Sequence, residues 1–141
     1  MNICMLTRVM PAHGIGGMQD HVHALSAGLA ARGQRVSVIT TARADGVERE
    51  RSDNVEIYYL KATRVGRYSA AFWRDSARRV YDLHSAQPFD ILHSHSIGAY
   101  GVYRAGLPRR LRVPLVASLH GTHLDVLTTA WHTDFSLARP L

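Results

Sequence analysis

The first forty or so residues switch between strand-like and helix-like spacing of apolar positions. Residues 3–6 form a short apolar run, which predicts a buried strand of about five residues. Residues 11–17 contain a proline and three glycines and are predicted to form a loop. A helix that ends near Gly33 is predicted from apolar residues at helical spacing, namely Met18, Val22, Leu25 and Leu29. The β-branched residues 35–41 predict a second strand, so this segment indicates a βαβ unit and a parallel sheet.

The same alternation continues along the rest of the chain. Residues 42–54 are polar and predict a solvated loop, followed by a third strand over 55–60 and a basic connection over 61–67. A helix over 68–86, stopped by Pro88, precedes a fourth strand over 90–94. We then expect a helix over about 101–111, a fifth strand over 113–119 and a helical segment over 124–138. The pattern predicts one α/β domain with a Rossmann-like, doubly wound parallel sheet.

Composition excludes several classes of protein. With 46% hydrophobic and 20% charged residues, the 141-residue chain can bury one core, which excludes a disordered or low-complexity protein. No apolar run approaches the roughly 18 residues of a membrane span, and the N-terminus lacks the pattern of a signal peptide. Cys4 is the only cysteine, so an internal disulfide and a cysteine-built zinc site are excluded. We therefore expect a cytoplasmic protein.

The net charge of +6 favours anionic partners. One helix interleaves Arg74, Arg78 and Arg79 with aromatic residues, but a solvated helix face explains these arginines equally well, and no nucleic-acid partner is expected. A second basic segment combines apolar and aromatic residues with Arg104, Arg109, Arg110 and Arg112. This combination is typical of peripheral contact with an anionic membrane, for which the inner face is the expected location; the alternative is a helix that packs on the sheet with solvated arginines.

Candidate chemistry is concentrated where the predicted strands end, which is where parallel sheets bind ligands. The connections at these ends contain His13, Gly14, Gly16, Gly17, His95, His120, Gly121, Thr122 and His123. The glycine loop departs from the dinucleotide fingerprint, because Gln19 replaces its third glycine and Thr40 and Thr41 stand where an acidic residue is needed. A nicotinamide cofactor is therefore not expected. A diphosphate cradle and a simple flexible turn both remain as interpretations of the loop.

Four histidines near the last two strands, at positions 93, 95, 120 and 123, could offer imidazole ligands to a metal. Only Asp125 adds a carboxylate beside them, so no metal site is expected. His93 is predicted to be a core histidine whose nitrogens are satisfied by the backbone. His120 is predicted to be exposed at a strand tip, where an imidazole can hydrogen-bond a ligand or transfer a proton.

Three segments, in order, resemble the large retaining family of GT-B-fold glycosyltransferases called family 4. They are residues 11–40 with the Gly16-Gly17 pair, residues 89–96, and residues 113–121 ending in His120-Gly121. The resemblance implies a nucleotide-diphosphate sugar as donor and a sugar or lipid-linked acceptor, bound between two Rossmann-like domains. Gly16 and Gly17 would contact the donor diphosphate and shape the acceptor site. His120 would act beside the transferred sugar, His95 would line the acceptor side of the cleft, and Gly121 would help to bind the donor diphosphate or the acceptor.

The same resemblance implies no metal and no other cofactor, because helix dipoles and basic side chains neutralise the leaving diphosphate. Residues 1–141 would be a single N-terminal, acceptor-side domain that lacks its C-terminal end and the donor-binding domain, and would be inactive alone. The alternatives are a non-catalytic Rossmann-like binding module and an oxidoreductase fragment, which Gln19 and Thr41 disfavour. No sequence pattern specifies an oligomeric state.

Overall fold

The computed structural model describes residues 1–120, which form a six-stranded sheet with helices on both faces. The strands are β1 (Asn2–Leu6), β2 (Arg35–Thr41), β3 (Arg49–Ser52), β4 (Val55–Leu60), β5 (Ile91–His95) and β6 (Leu115–Ser118). The helices are α1 (Gly17–Ala31), α2 (Ala70–Ala86), α3 (Tyr100–Arg104) and α4 (Leu107–Leu111), with one 3₁₀ turn at Pro11–His13. None of the described helices is long and apolar enough to cross a membrane.

The strand order is β3-β4-β2-β1-β5-β6, with β1 at the centre. All neighbouring strands are parallel except β3, which runs antiparallel to β4 at the edge of the sheet. In β1, Met5 pairs with Val38 of β2 on one side and with His93 of β5 on the other. The predicted α/β, Rossmann-like sheet is therefore confirmed.

The side chains of β1 alternate between two cores, one on each face of the sheet. Ile3 and Met5 pack with Val22 of α1, whereas Cys4 and Leu6 pack with Phe72 of α2. Because both faces are covered, the strand contains an uninterrupted apolar run instead of an alternating one. This burial is the reason that β1 is recognisable in the sequence.

The loop predicted over residues 42–54 is wrong in part, since Arg49–Ser52 form the edge strand β3. This strand contains no apolar residue, and its pairing with β4 is supported by polar contacts. Arg49 pairs with Glu56, and the Tyr59 hydroxyl donates to Glu50 at 2.7 Å. A charged edge strand has no buried face, so the hydrophobic pattern that identifies a strand is absent.

The helix predicted over about 101–111 consists of two short helices, α3 and α4, because Gly106 between them is left-handed at φ +67°. Other boundaries shift by a few residues. Ser69 caps α2 by accepting from the Phe72 amide at 3.2 Å, and β5 extends to His95. The predicted end of α1 is confirmed, since Gly33 at φ +77° donates to the Ala30 carbonyl at 2.9 Å. The predicted helix over 124–138 lies outside the described residues.

Candidate active site

Three histidines from different elements meet at the carboxyl edge of the sheet. His95 is the last residue of β5, His120 follows β6, and His21 lies early in α1. The His95 Nδ1 and His120 Nε2 atoms are 3.1 Å apart. The ring centroid of His21 lies 5.7 Å from that of His95 and 5.1 Å from that of His120. We call His21, His95 and His120 the histidine cluster.

His95 is the buried member of the histidine cluster, with 0% of its surface exposed. Burial, reinforced by the neighbouring His93, His120 and His21, lowers the pKa of His95 to about 3. The ring is therefore neutral at physiological pH. Within residues 1–120, its Nε2 atom has no hydrogen-bond partner. Its backbone carbonyl accepts from the Tyr68 hydroxyl at 3.2 Å, which fixes the end of β5.

One hydrogen lies between the facing nitrogens of His95 and His120 when both rings are neutral. A buried N–H without an acceptor is rarer in proteins than a buried acceptor without a donor. The favoured tautomer is therefore the one in which Nδ1 of His95 donates to Nε2 of His120, because it leaves only a lone pair on the buried Nε2 of His95. His120 then has its own hydrogen on Nδ1. Partial burial and His21 lower the pKa of His120, so this half-buried ring is also neutral.

His93 lies beside the histidine cluster, with its ring centroid 4.3 Å from that of His95. The predicted backbone partner is wrong, because its Nε2 atom contacts the Ser118 hydroxyl of β6 at 2.8 Å. Burial lowers the pKa of this half-buried imidazole, with His21 and His120 adding to the effect. His93 therefore connects β5 to β6 immediately behind His95.

The glycine loop leads directly into the start of α1. Gly16 precedes the helix, and its carbonyl accepts the first helical hydrogen bond from Asp20 at 3.1 Å. The amides before Asp20 have no partner within the helix, and such a helix start attracts anions. A Cβ on Gly17 would meet no described atom within 4 Å, so the space in front of the helix is open. The Ser96 hydroxyl lies 3.8 Å from Met18 Sδ and joins this helix start to the end of β5.

Two other residues at strand ends serve to hold loops in place. The Thr41 hydroxyl donates to the Arg8 carbonyl at 2.7 Å and accepts from the Gly66 amide at 2.8 Å. His13 accepts from the Met10 amide at 2.9 Å through Nδ1, and its Nε2 lies 3.1 Å from the Ala42 carbonyl. The polar atoms of both side chains are therefore used for contacts within the protein.

The structure thus brings together four of the candidate residues from the sequence, namely Gly16, Gly17, His95 and His120. Gly121 and His123 lie outside the described residues. Sequence reasoning missed His21, although one signal was present. A histidine one turn into a helix that begins at a strand-end glycine pair lies at the ligand-binding edge of the sheet.

The family described as Glycosyltransferase Family 4 matches residues 15–141, which include the glycine pair, β5 and the whole histidine cluster. The chain belongs to glycosyltransferase family 4.

Individual relatives agree with this family. The uncharacterized glycosyltransferase MJ1607 of Methanocaldococcus jannaschii is 28% identical over 126 residues, which cover 88% of this chain and 32% of the relative. Sucrose-phosphate synthase from Thermosynechococcus elongatus has a similar fold, with a TM-score of 0.68, 14% identity and coverage of 85% of this chain and 33% of that chain. A second structure of that synthase has a TM-score of 0.60 at 14% identity, covering 91% of this chain and 68% of that chain.

At 14% identity the synthase structures show the fold alone, and this fold is the Rossmann-like half of a GT-B enzyme that the sequence predicts. The family 4 chain spans about a third of the length of the archaeal relative and of the first synthase structure.

Proposed function

We propose that this family 4 chain is the N-terminal, acceptor-side part of a retaining glycosyltransferase. The enzyme would transfer a hexosyl group from a nucleotide-diphosphate sugar to a sugar or to a lipid-linked acceptor, with the donor-binding domain supplied by sequence beyond these residues. The observation that supports this proposal is the meeting of the His95–His120 pair with the glycine-led start of α1 at one edge of the sheet.

The start of α1 is suited to the charge of the donor. Transfer of the sugar leaves a nucleoside diphosphate, and its negative charge must be stabilised as the glycosidic bond breaks. The unpaired amides at the helix start and the helix dipole provide fixed positive charge for this purpose. The open space at Gly17 leaves room for a diphosphate oxygen to approach the backbone. In this proposal the transfer needs no metal ion or other cofactor.

His120 is the proposed catalytic residue. As a neutral imidazole, it can donate one hydrogen bond from Nδ1 to a hydroxyl or carbonyl oxygen near the transferred sugar. His95 is the positioning residue behind it, because the 3.1 Å contact between Nδ1 and Nε2 fixes the tautomer and the plane of the His120 ring. In this proposal His95 also lines the acceptor side of the cleft, and Gly121 helps to bind the donor diphosphate or the acceptor.

A peripheral membrane location accompanies the lipid-linked acceptor in this proposal. Tyr100 and Tyr103 of α3 are 47% and 67% exposed, respectively. The neighbouring arginines are exposed as well, and they are Arg104, Arg109, Arg110 and Arg112. We name these two tyrosines and four arginines the basic patch. Aromatic rings combined with guanidinium groups suit the surface of an anionic leaflet, so we propose a cytoplasmic enzyme that contacts the inner face of the membrane.

The experiment measures sugar transfer from nucleotide-diphosphate sugars by the longest protein that the gene encodes and by the 141-residue chain alone. We expect transfer by the longer protein and none by the isolated chain. His120→Ala should lower kcat of the longer protein by at least about 100-fold, the loss typical of a positioned acid, base or hydrogen-bond donor.

His23→Ala provides the matched control, because this exposed histidine also lies on α1 but outside the histidine cluster. It should leave kcat unchanged. A folded His120→Ala protein with unchanged turnover would remove His120 from the mechanism. If the longer protein transfers no sugar from any donor, the chain is instead a non-catalytic Rossmann-like binding module.

A further inference from the structure

We propose that the histidine cluster, His21, His95 and His120, binds one Zn²⁺ ion, which blocks the site instead of assisting the transfer. The three histidines each offer one ring nitrogen, and these nitrogens all lie within 4.8 Å of one another. His21 lies in α1, His95 ends β5, and His120 is the second residue after β6, so the fold brings the three side chains together.

The spacing requires little change on binding. Zinc binds imidazole nitrogen at about 2.0–2.1 Å in a tetrahedral arrangement, which separates two ligand nitrogens by about 3.3 Å. The facing nitrogens of His95 and His120 are already 3.1 Å apart. His21 is exposed on the surface of α1, so its side chain can change rotamer to complete the set.

The buried member of the cluster holds its ligand nitrogen in a fixed place. His95 has 0% of its surface exposed, so the surrounding core sets the orientation of its ring. Zinc would bind at Nδ1, the nitrogen that faces His120, and the ring hydrogen would then lie on Nε2.

The chemistry of the donors favours Zn²⁺ and similar transition metals over Mg²⁺ and Ca²⁺. Imidazole nitrogens bind Zn²⁺, Cu²⁺, Ni²⁺ and Co²⁺, whereas Mg²⁺ and Ca²⁺ require oxygen ligands. Metal binds the neutral form of the imidazole ring, so zinc binding should weaken as the pH falls. Three protein ligands leave a fourth position for water or an anion. The neighbouring His93 contacts the Ser118 hydroxyl through its Nε2 atom and is not needed as a ligand.

Inhibition follows from the identity of the ligands, and this step rests on the proposed function. Zinc bound at Nε2 of His120 would replace the contact with His95 that positions the catalytic ring, and the ion with its fourth ligand would occupy the space beside the start of α1. Zinc would therefore lower transfer reversibly, without being a cofactor of the reaction.

Binding can be tested without any activity measurement. Calorimetric titration of the metal-free 141-residue chain with ZnCl₂ should show one ion per chain, and titration with Co²⁺ should show the intense visible absorption of a tetrahedral complex. His21→Ala should weaken zinc binding by at least about 100-fold, since even indirect supports of a ligand contribute 10–100-fold. His23→Ala, two positions along the same helix, should bind zinc like the wild type.

Circular dichroism of each variant establishes that it is folded, and the exposed position of His21 makes this substitution well tolerated. The site is disproved if the wild type binds no zinc, or if His21→Ala and His23→Ala have equal affinity. In the longest gene product, zinc should inhibit transfer and a chelator should restore it; inhibition that persists in His21→Ala would disprove the assignment. Failure of the proposed transferase function can be distinguished from failure of the zinc site, because a protein without transfer activity would still bind zinc.

Discussion

Cys4 lies in the middle of the central strand and has 0% of its surface exposed. Burial raises the pKa of its thiol far above the ordinary range, because the charged thiolate is disfavoured in an apolar core. Since the thiolate is the reactive form, we expect no reaction of the native protein with a disulfide reagent at neutral pH. The same reagent should titrate one thiol per chain in denaturant. The midpoint of reactivity should coincide with the unfolding transition seen by circular dichroism, and rapid labelling of the native chain would contradict this placement of β1.

The residues of the site differ in how far the sequence could reveal them. His95 and His120 are recognisable because each follows an apolar strand, and strand ends converge in a parallel sheet. His21 could not be assigned in the same way, because its approach to them depends on the rotation of α1 about its own axis. The partner of His93 depends on the pairing of β5 with β6, in which His93 lies opposite Val116 and reaches Ser118. The register of β5 against β6 cannot be read from the spacing of residues in the sequence.

At the scale of elements, the contact between α2 and α3 depends on the absence of a side chain at Gly101. A Cβ added there would lie 2.1 Å from the Trp73 carbonyl oxygen, which belongs to the backbone and cannot move aside. Overpacking of this kind typically costs about 1–3 kcal/mol, so Gly101→Ala should lower the free energy of unfolding by at least about 1 kcal/mol. Urea denaturation followed by circular dichroism measures the change.

Gly28→Ala is the matched control for this substitution. Gly28 also lies inside a helix, but its added Cβ would contact only the Arg32 side chain at 3.7 Å. Alanine is favoured over glycine in a helix by about 1 kcal/mol, so this variant should be as stable as the wild type or more stable. Equal effects of the two substitutions would mean that α3 does not pack on Trp73.

The elements that the sequence pattern missed share one property. β3 is stabilised by charged cross-strand pairs and has no buried face, and the break between α3 and α4 depends on the backbone angle of Gly106. Neither feature changes the spacing of apolar residues. Conversely, β1, β2 and α1 are each buried against a core, and their predicted bounds agree with the observed ones to within two residues.

At the scale of the whole molecule, the parallel sheet is predictable from the βαβ pattern, whereas the strand order is only partly so. Sequential strands joined by a helix tend to lie side by side, which accounts for β1 beside β2 and for β5 beside β6. The placement of β5 on the other side of β1 reverses the direction of winding. This reversal places a topological switch point between β1 and β5, and His95 at the end of β5 and the glycine loop after β1 both lie at that point.

The proposed membrane contact depends on which residues of α3 and α4 remain exposed. Leu107 of α4 is buried and Leu111 packs against the core, so these apolar residues are directed inward, as the packing alternative predicts. The tyrosines and arginines of the basic patch remain outside. Because its apolar residues are used in the core, the basic patch would bind a membrane mainly through charge, with Tyr100 and Tyr103 as interfacial anchors.

We expect the chain to co-sediment with anionic vesicles at low salt and to be released at high salt, because screening weakens exposed charge interactions. Each basic residue near such a surface contributes about 1 kcal/mol, so Arg109→Glu with Arg110→Glu should weaken binding by at least about 30-fold. The matched control is the double variant Arg35→Glu with Arg51→Glu. It reverses the charge of two exposed arginines, one in β2 and one in β3, which lie away from the basic patch on the other side of the sheet. It changes the net charge equally, so comparable losses in both double variants would indicate a diffuse charge effect. Binding to neutral vesicles as strong as to anionic ones, or binding insensitive to salt, would exclude the basic patch as a membrane site.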